Sequence, residues 1–144
     1  MPKPISADLL VCEKILIEGD GVMSMIRLVD IFYVNTIPEI PIERQGSQMS
    51  VLGMIRVQIG DLEEHAIELR LMRPSGESSA IGDTQKIRME PKEPNAPGGF
   101  NFVAQLGVIA KEMGVHYFVM LFDGTEIARA PFTLVERKQV ESGN

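Results

Sequence analysis

The chain of 144 residues has no tryptophan, a single cysteine, two histidines and only 6% aromatic residues. With so few rings, a flat platform for stacking sugars or nucleobases is not expected. Cys12 stands alone, so no intrachain disulfide can form. Small secreted domains usually carry several, and a reducing, cytoplasmic setting is therefore expected. No apolar run approaches the ~18 residues of a membrane helix. The first apolar stretch, Leu9-Leu10-Val11, is cut short by Glu13 and Lys14 and has no small-residue cleavage site, so no signal peptide is read. Positive charge is scarce as well, with 14 Lys and Arg against 20 Asp and Glu, a net charge of -6. The basic residues stand singly, as at Arg27, Arg56, Arg70 and Arg88, apart from Arg137-Lys138. Such a surface repels a phosphate backbone, so no nucleic-acid partner is expected.

What is present is an ordinary globular balance, 44% hydrophobic and 24% charged, enough to form one core. The expectation is one domain over residues 1–136 and a polar, frayed tail over 137–144. Apolar residues mostly alternate with period two, the spacing of strands rather than helices. Ile67, Leu69 and Leu71 share one face while Glu68 and Arg70 share the other. Met49, Val51, Ile55 and Val57 point inward with Gly53 leaving a gap among them, and Arg56 and Gln58 point outward. Phe100, Phe102, Ala104 and Leu106 repeat the pattern, as do Ile87 and Met89. These segments predict an all-β fold, an antiparallel two-sheet β-sandwich of immunoglobulin-like or related Greek-key type with about seven to nine strands.

Turn residues fit that reading. Asp20-Gly21 and Asp123-Gly124 each lie between apolar runs, 7–17 and 22–34 for the first, 115–122 and 126–135 for the second, and read as hairpins. Arg73-Pro74-Ser75-Gly76 reads as a turn. The proline-bearing segments 36–47 and 90–99 read as crossovers between sheets. Val108 to Met113 is too short for more than a helical turn. Gly114 followed by Tyr117 at the start of an apolar strand suggests a tyrosine corner, with the Tyr117 hydroxyl bonded back to preceding backbone.

The candidate chemistry is thin. Glu63-Glu64-His65 and His116 are metal-ligand types, but zinc sites draw three or four ligands at defined spacing, and nothing in the spacing brings the two histidines together. The expectation is a solvated turn and an ordinary strand histidine. Asp20, Asp30, Asp61, Asp83 and Asp123 lie near turns, where aspartate serves the turn itself more often than calcium. Cys12 sits in an apolar strand as a small buried hydrophobe, without a base to activate it. No catalytic, cofactor-binding or metal-binding residue is assigned, and no cofactor is expected. The run Val115 to Phe122 is apolar on both faces, which marks either a central strand or a surface buried against a second copy of the chain. Five methionines, Met23, Met25, Met54, Met113 and Met120, add adaptable apolar surface.

The order of these features, from Leu9-Leu10-Val11-Cys12-Glu13 through Asp20-Gly21, Ile31-Phe32-Tyr33, Pro38 and Pro41, Leu69 to Gly76, and Gly114, Tyr117 and Asp123-Gly124 to Pro131, resembles an uncharacterised bacterial β-sandwich family, a domain of unknown function. The resemblance implies a sandwich fold and a bacterial cytoplasmic origin, and it carries no active site with it. Function is therefore unknown at this level. The leading expectation is a non-enzymatic protein-interaction or structural module with an unidentified protein partner or a homo-oligomer. A small-ligand or metal-binding domain with a loop-borne site is the alternative, and a hydrolase using His65, His116 and scattered carboxylates comes third.

Overall fold

A computed structural model of the chain describes residues 4–17, 19, 23–36, 39, 46–109 and 111–138. Among the described residues there are nine strands and no helix: β1 (Ser6–Ile17), β2 (Met23–Leu28), β3 (Ile31–Thr36), β4 (Gly46–Arg56), β5 (Glu64–Met72), β6 (Ser78–Arg88), β7 (Gly99–Ile109), β8 (Gly114–Phe122) and β9 (Thr125–Lys138). They form a four-stranded sheet in the order β2-β1-β4-β7 and a five-stranded sheet in the order β3-β9-β8-β5-β6. The fold is an all-β sandwich.

The alternating pattern places the core as expected. Val51, Ile55 and Met49 from one sheet meet Ile67, Leu71, Phe118, Met120 and Leu134 from the other, all buried. Phe132 organises the aromatic part: Phe118 stacks on it at 4.9 Å between ring centroids, and Phe32 meets it edge-on at 6.1 Å. Both arrangements suit the ring quadrupoles. The gap expected at Gly53 is not a gap. Gly53 faces Phe102 across the β4–β7 ladder, and the Phe102 ring lies where a Cβ on Gly53 would stand.

Three expectations about strands are corrected. The apolar run 22–34 is two strands, because the chain changes sheets at Val29 and Asp30. The Val29 N–H donates to Val11 O at 3.4 Å in one sheet, and Asp30 O accepts from Thr133 N at 2.7 Å in the other. As a consequence β3 pairs β9 in parallel, the one parallel pairing among the described strands. Residues 108 and 109 continue β7 instead of starting a helical turn. Finally, β9 keeps strand structure to Lys138, two residues into the expected tail.

The Asp123-Gly124 hairpin is present as read: Phe122 faces Thr125, and both turn residues have positive φ, 49° and 83°. Two left-handed residues in a two-residue loop match the twist of the flanking strands, which is why Asp-Gly is favoured there. The turn after β5 closes through Gly76 N to Arg73 O at 2.8 Å. Asp20-Gly21 and the prolines Pro38 and Pro41 lie outside the described residues, although β1 and β2 pair antiparallel, as a hairpin requires. The crossover 89–98 is pinned at both ends. Met89 is buried, and Gly98 packs so tightly on its carbonyl that an added Cβ would overlap it, while Gly98 O accepts from Val57 N at 2.9 Å.

Candidate functional site

His65 opens β5 and is 2% exposed. Its Nδ1 lies 2.7 Å from Asp123 Oδ2 and its Nε2 lies 2.8 Å from Asp61 Oδ2. The ring stacks on Phe122 at 4.4 Å between centroids. Sequence reasoning looked to Glu63 and Glu64 as neighbours of His65, but both are exposed, and the carboxylates that reach the ring come from the β4–β5 loop and the β8–β9 hairpin. A histidine with a carboxylate on each nitrogen donates from both only when it is protonated. Burial alone would lower its pKa; the hydrogen bonds to Asp123 and Asp61, and their charges, outweigh it and hold His65 above the ordinary 6.5. Asp123 responds in the opposite sense. Burial would raise it, but the Ala66 N–H on Oδ1 at 2.8 Å and the His65 ring hold it below 3.8.

This cluster leaves little capacity for an incoming group. Asp61 Oδ1 accepts from Glu63 N at 3.0 Å, Asp123 Oδ1 accepts from Ala66 N, and the Asp123 N–H donates to Ala66 O at 2.8 Å. All four carboxylate oxygens and both ring nitrogens are engaged within the fold. The trio therefore clasps the β8–β9 turn to the start of β5.

His116 is a different case. It is fully buried on β8 and stacks on Phe132 at 5.0 Å. Its Nδ1 donates to Gly114 O at 3.0 Å, and its Nε2 has no partner among the described residues. Burial pushes its pKa below 6.5, with Arg73 adding to that direction and the Gly114 bond and Glu112 opposing it. It is a neutral imidazole in the core. It stands six positions before Phe122 on β8, against which His65 packs, roughly 20 Å of strand. The histidines do not meet. Among the described residues no group of three or more His, Cys, Asp or Glu is placed to hold a metal ion.

The other candidates resolve into structural roles. Asp30 serves the sheet crossing through its carbonyl, and the Asp83 carbonyl accepts from Gln85 Nε2 at 3.3 Å. Asp20 lies outside the described residues. Cys12 is fully buried, and burial raises its thiol pKa although the backbone of Lys14 opposes this, so the nucleophilic thiolate is disfavoured. Cys12 does not join the main core. It forms a second cluster with Ile15 and Leu52, flanked by Met23, Met25, Met54 and Val103. Leu52 and Val103 alternate with inward Val51 and Ala104, so this cluster dries the outer face of the four-stranded sheet.

Among the described residues the Tyr117 hydroxyl makes no backbone hydrogen bond of the kind a tyrosine corner needs. Tyr117 lies on the outer face of β8, and its ring carries the Arg129 guanidinium at 4.9 Å. The same face explains why β8 is apolar on both sides. It is the central strand of its sheet, and Val119, 4% exposed, sits between Arg70 on β5 and Arg129 on β9. Those arginines are ion-paired with Glu68 at 2.7 Å and Glu126 at 2.6 Å. Of the two readings of this run, a central strand or a surface against a second copy, the sheet order bears out the central strand.

The sheet edges differ sharply. β2 and β3 are six residues long. β6 is interrupted by a register shift between Ile67 and Leu69 of its partner, with Gly82 at φ 68°, and it carries Asp83, Lys86 and Arg88. Short strands, bulges and charges are the devices that keep an edge from recruiting another strand. β7 has none of them. Its eleven residues read Gly-Phe-Asn-Phe-Val-Ala-Gln-Leu-Gly-Val-Ile, without a charge or a proline, and pair β4 without a break. No described strand pairs its other side. Sequence reasoning placed this strand but missed its edge position. The available signal was eleven strand residues with no acid or base, which becomes informative only once sheet order is known. Beside it, open depressions of about 360 and 390 Å³ are lined by Gln105, Ser50 and Lys14, and by Arg56, Lys92 and Phe100.

Comparison with known proteins adds a family. A family model described as Family of unknown function (DUF6941) matches residues 8–135. No curated protein matches the chain. Among solved structures, it is similar to the Pseudomonas fluorescens alkylpurine DNA glycosylase AlkC bound to DNA containing an abasic site analog, with 8% identity, a TM-score of 0.45 and coverage of 88% of this chain. The chain spans about 30% of that protein's length.

Proposed function

The chain belongs to this family of unknown function, and we propose that it is a non-enzymatic protein-interaction module whose binding element is the free edge of β7. The observation that carries the reading is the contrast between edges: three are shortened, bulged or charged, while β7 is long, regular and uncharged. An edge of this kind offers a row of backbone donors and acceptors to an added strand, with side-chain pockets alternating beside it. Phe100, Phe102, Ala104 and Leu106 along it are half-buried, so part of their apolar surface is left for a partner to cover.

The histidines support the same reading. A general base must reach a proton on a substrate, and His65 has both nitrogens bound to carboxylates while His116 is enclosed in the core. Among the described residues no helix is long and apolar enough to cross a membrane. We place the module in the cytoplasm, on the lone buried thiol of Cys12. The test is affinity capture from the source cells with the wild-type chain and with Gln105→Lys, which puts a charge on the exposed side of β7. A partner retained by the first and lost by the second is the expected result. Partners retained equally by both contradict the reading.

A further inference from the structure

We propose that the strand added to β7 is β7 of a second copy of the same chain, paired antiparallel about a two-fold axis at Ala104. This rests on the reading of β7 as the binding edge and names its occupant.

The warrant is charge symmetry. In a two-fold pairing of identical strands, a side chain near the axis faces its own mate, so any charge there meets the same charge within a few ångströms. Each chain carries a net charge of -6, which opposes self-association through most of its surface. β7 removes that opposition along its whole length, since none of its eleven residues is charged. Arg56, which reaches across to Asn101 Oδ1 at 2.9 Å, stands at one end of the ladder and so lies far from its mate. A partner of opposite charge would gain nothing from such a strand, whereas an identical strand meets no penalty.

The side chains also match. With Ala104 on the axis, Phe102 faces Leu106 and Phe100 faces Val108 on the core side, aromatic against aliphatic in both cases. On the outer side Val103 faces Gln105, and Asn101 faces Gly107. Aromatic–aliphatic cross-strand pairs are among the stabilising ones. Every pair keeps inward residues inward, because the axis passes through a residue that itself points to the core. The product is one continuous eight-stranded sheet made of two copies of β2-β1-β4-β7.

Sedimentation equilibrium of the full chain at micromolar concentration tests this, with circular dichroism to confirm folding. Wild type is expected at twice the chain mass. Gln105→Lys is expected to be monomeric, because the two introduced ammonium groups lie diagonally across the axis, well within a Debye length. Gly107→Lys serves as a second variant, since nothing stands within 4 Å of a Cβ at 107. Gln85→Lys, on the protected edge β6, is expected to remain dimeric. A monomeric wild type, or a dimer that survives both β7 lysines, overturns the proposal. If wild type is monomeric yet loses a captured protein on Gln105→Lys, self-pairing falls and the module reading stands. If no capture depends on β7 either, both fall.

Discussion

The ring of Phe102 lies over Gly53 on the neighbouring strand, in the space that any larger residue at 53 would fill. A glycine in a central strand forfeits side-chain packing, and here an aromatic from the edge strand restores it. β4 and β7 are thus keyed to one register at this point. Gly53→Ala is expected to destabilise the fold by about 2 kcal/mol through overpacking. In a Phe102→Ala background the same substitution is expected to be nearly neutral. Denaturant unfolding of the double-mutant cycle checks the coupling, and simple additivity would show that the two positions are independent.

The His65 clasp gives a second expectation. His65→Gln keeps a polar side chain but loses the cation between Asp61 and Asp123, two charge-assisted hydrogen bonds in a largely buried site. The expected loss is about 2–3 kcal/mol near pH 6. Chemical denaturation measures it. An unchanged midpoint would mean that the clasp contributes nothing.

The two histidines impose opposite pH dependences. His65 is held above 6.5, so its contribution is full below 6.5 and is lost as pH rises through its folded value. His116 is held below 6.5, so the unfolded chain takes up a proton the folded chain refuses, and stability falls as pH drops below 6.5. Asp123, held below 3.8, contributes above 3.8 and is lost as pH falls through its folded value. Between 3.8 and 6.5 the clasp is therefore fully formed while His116 works against the fold. The deficit of His65→Gln should shrink from about pH 6 to about pH 9. His116→Leu should unfold with a shallower loss on the acid side than wild type. Unfolding midpoints across pH for the three chains test the signs, and parallel curves would contradict them.

Much of the fold was legible because strand alternation is a local signal. The faces of Ile67, Leu69 and Leu71 and the Asp123-Gly124 hairpin follow from residues within reach of one another along the chain. What was not legible depended on order in space. The sheet change at Val29 leaves no mark in an apolar run, and the parallel pairing of β3 with β9 joins segments a hundred residues apart. Asp61 and Asp123 looked like turn aspartates because they are turn aspartates; the fold of the β4–β5 loop turns Asp61 back on His65 four residues on, and the register of β5 against β8 brings Asp123 to it. Likewise, the apolar run in β8 fits either a central strand or a surface for a second chain, and alternation along the run alone does not choose between them. The structure gives that strand a central place and leaves the long uncharged edge to β7.

The crossover that delivers the chain to β7 depends on Gly98. A methyl group there would strike the Met89 carbonyl, a backbone atom that cannot swing aside. Gly98→Ala is expected to lower stability by about 2 kcal/mol or more and to loosen the start of β7. Gly107→Ala, where nothing stands near the new methyl, is expected to change little. Thermal melts of the two variants distinguish them, and equal transitions would refute the packing argument.

Amide hydrogen exchange read strand by strand, at a dilute and a concentrated protein sample, tests the role of β7 most directly. The outward amides of β7 should exchange more slowly in the concentrated sample, while those of β6 keep the same rate in both. Exchange of β7 that is indifferent to concentration, or protection that appears on β6 instead, would contradict the account.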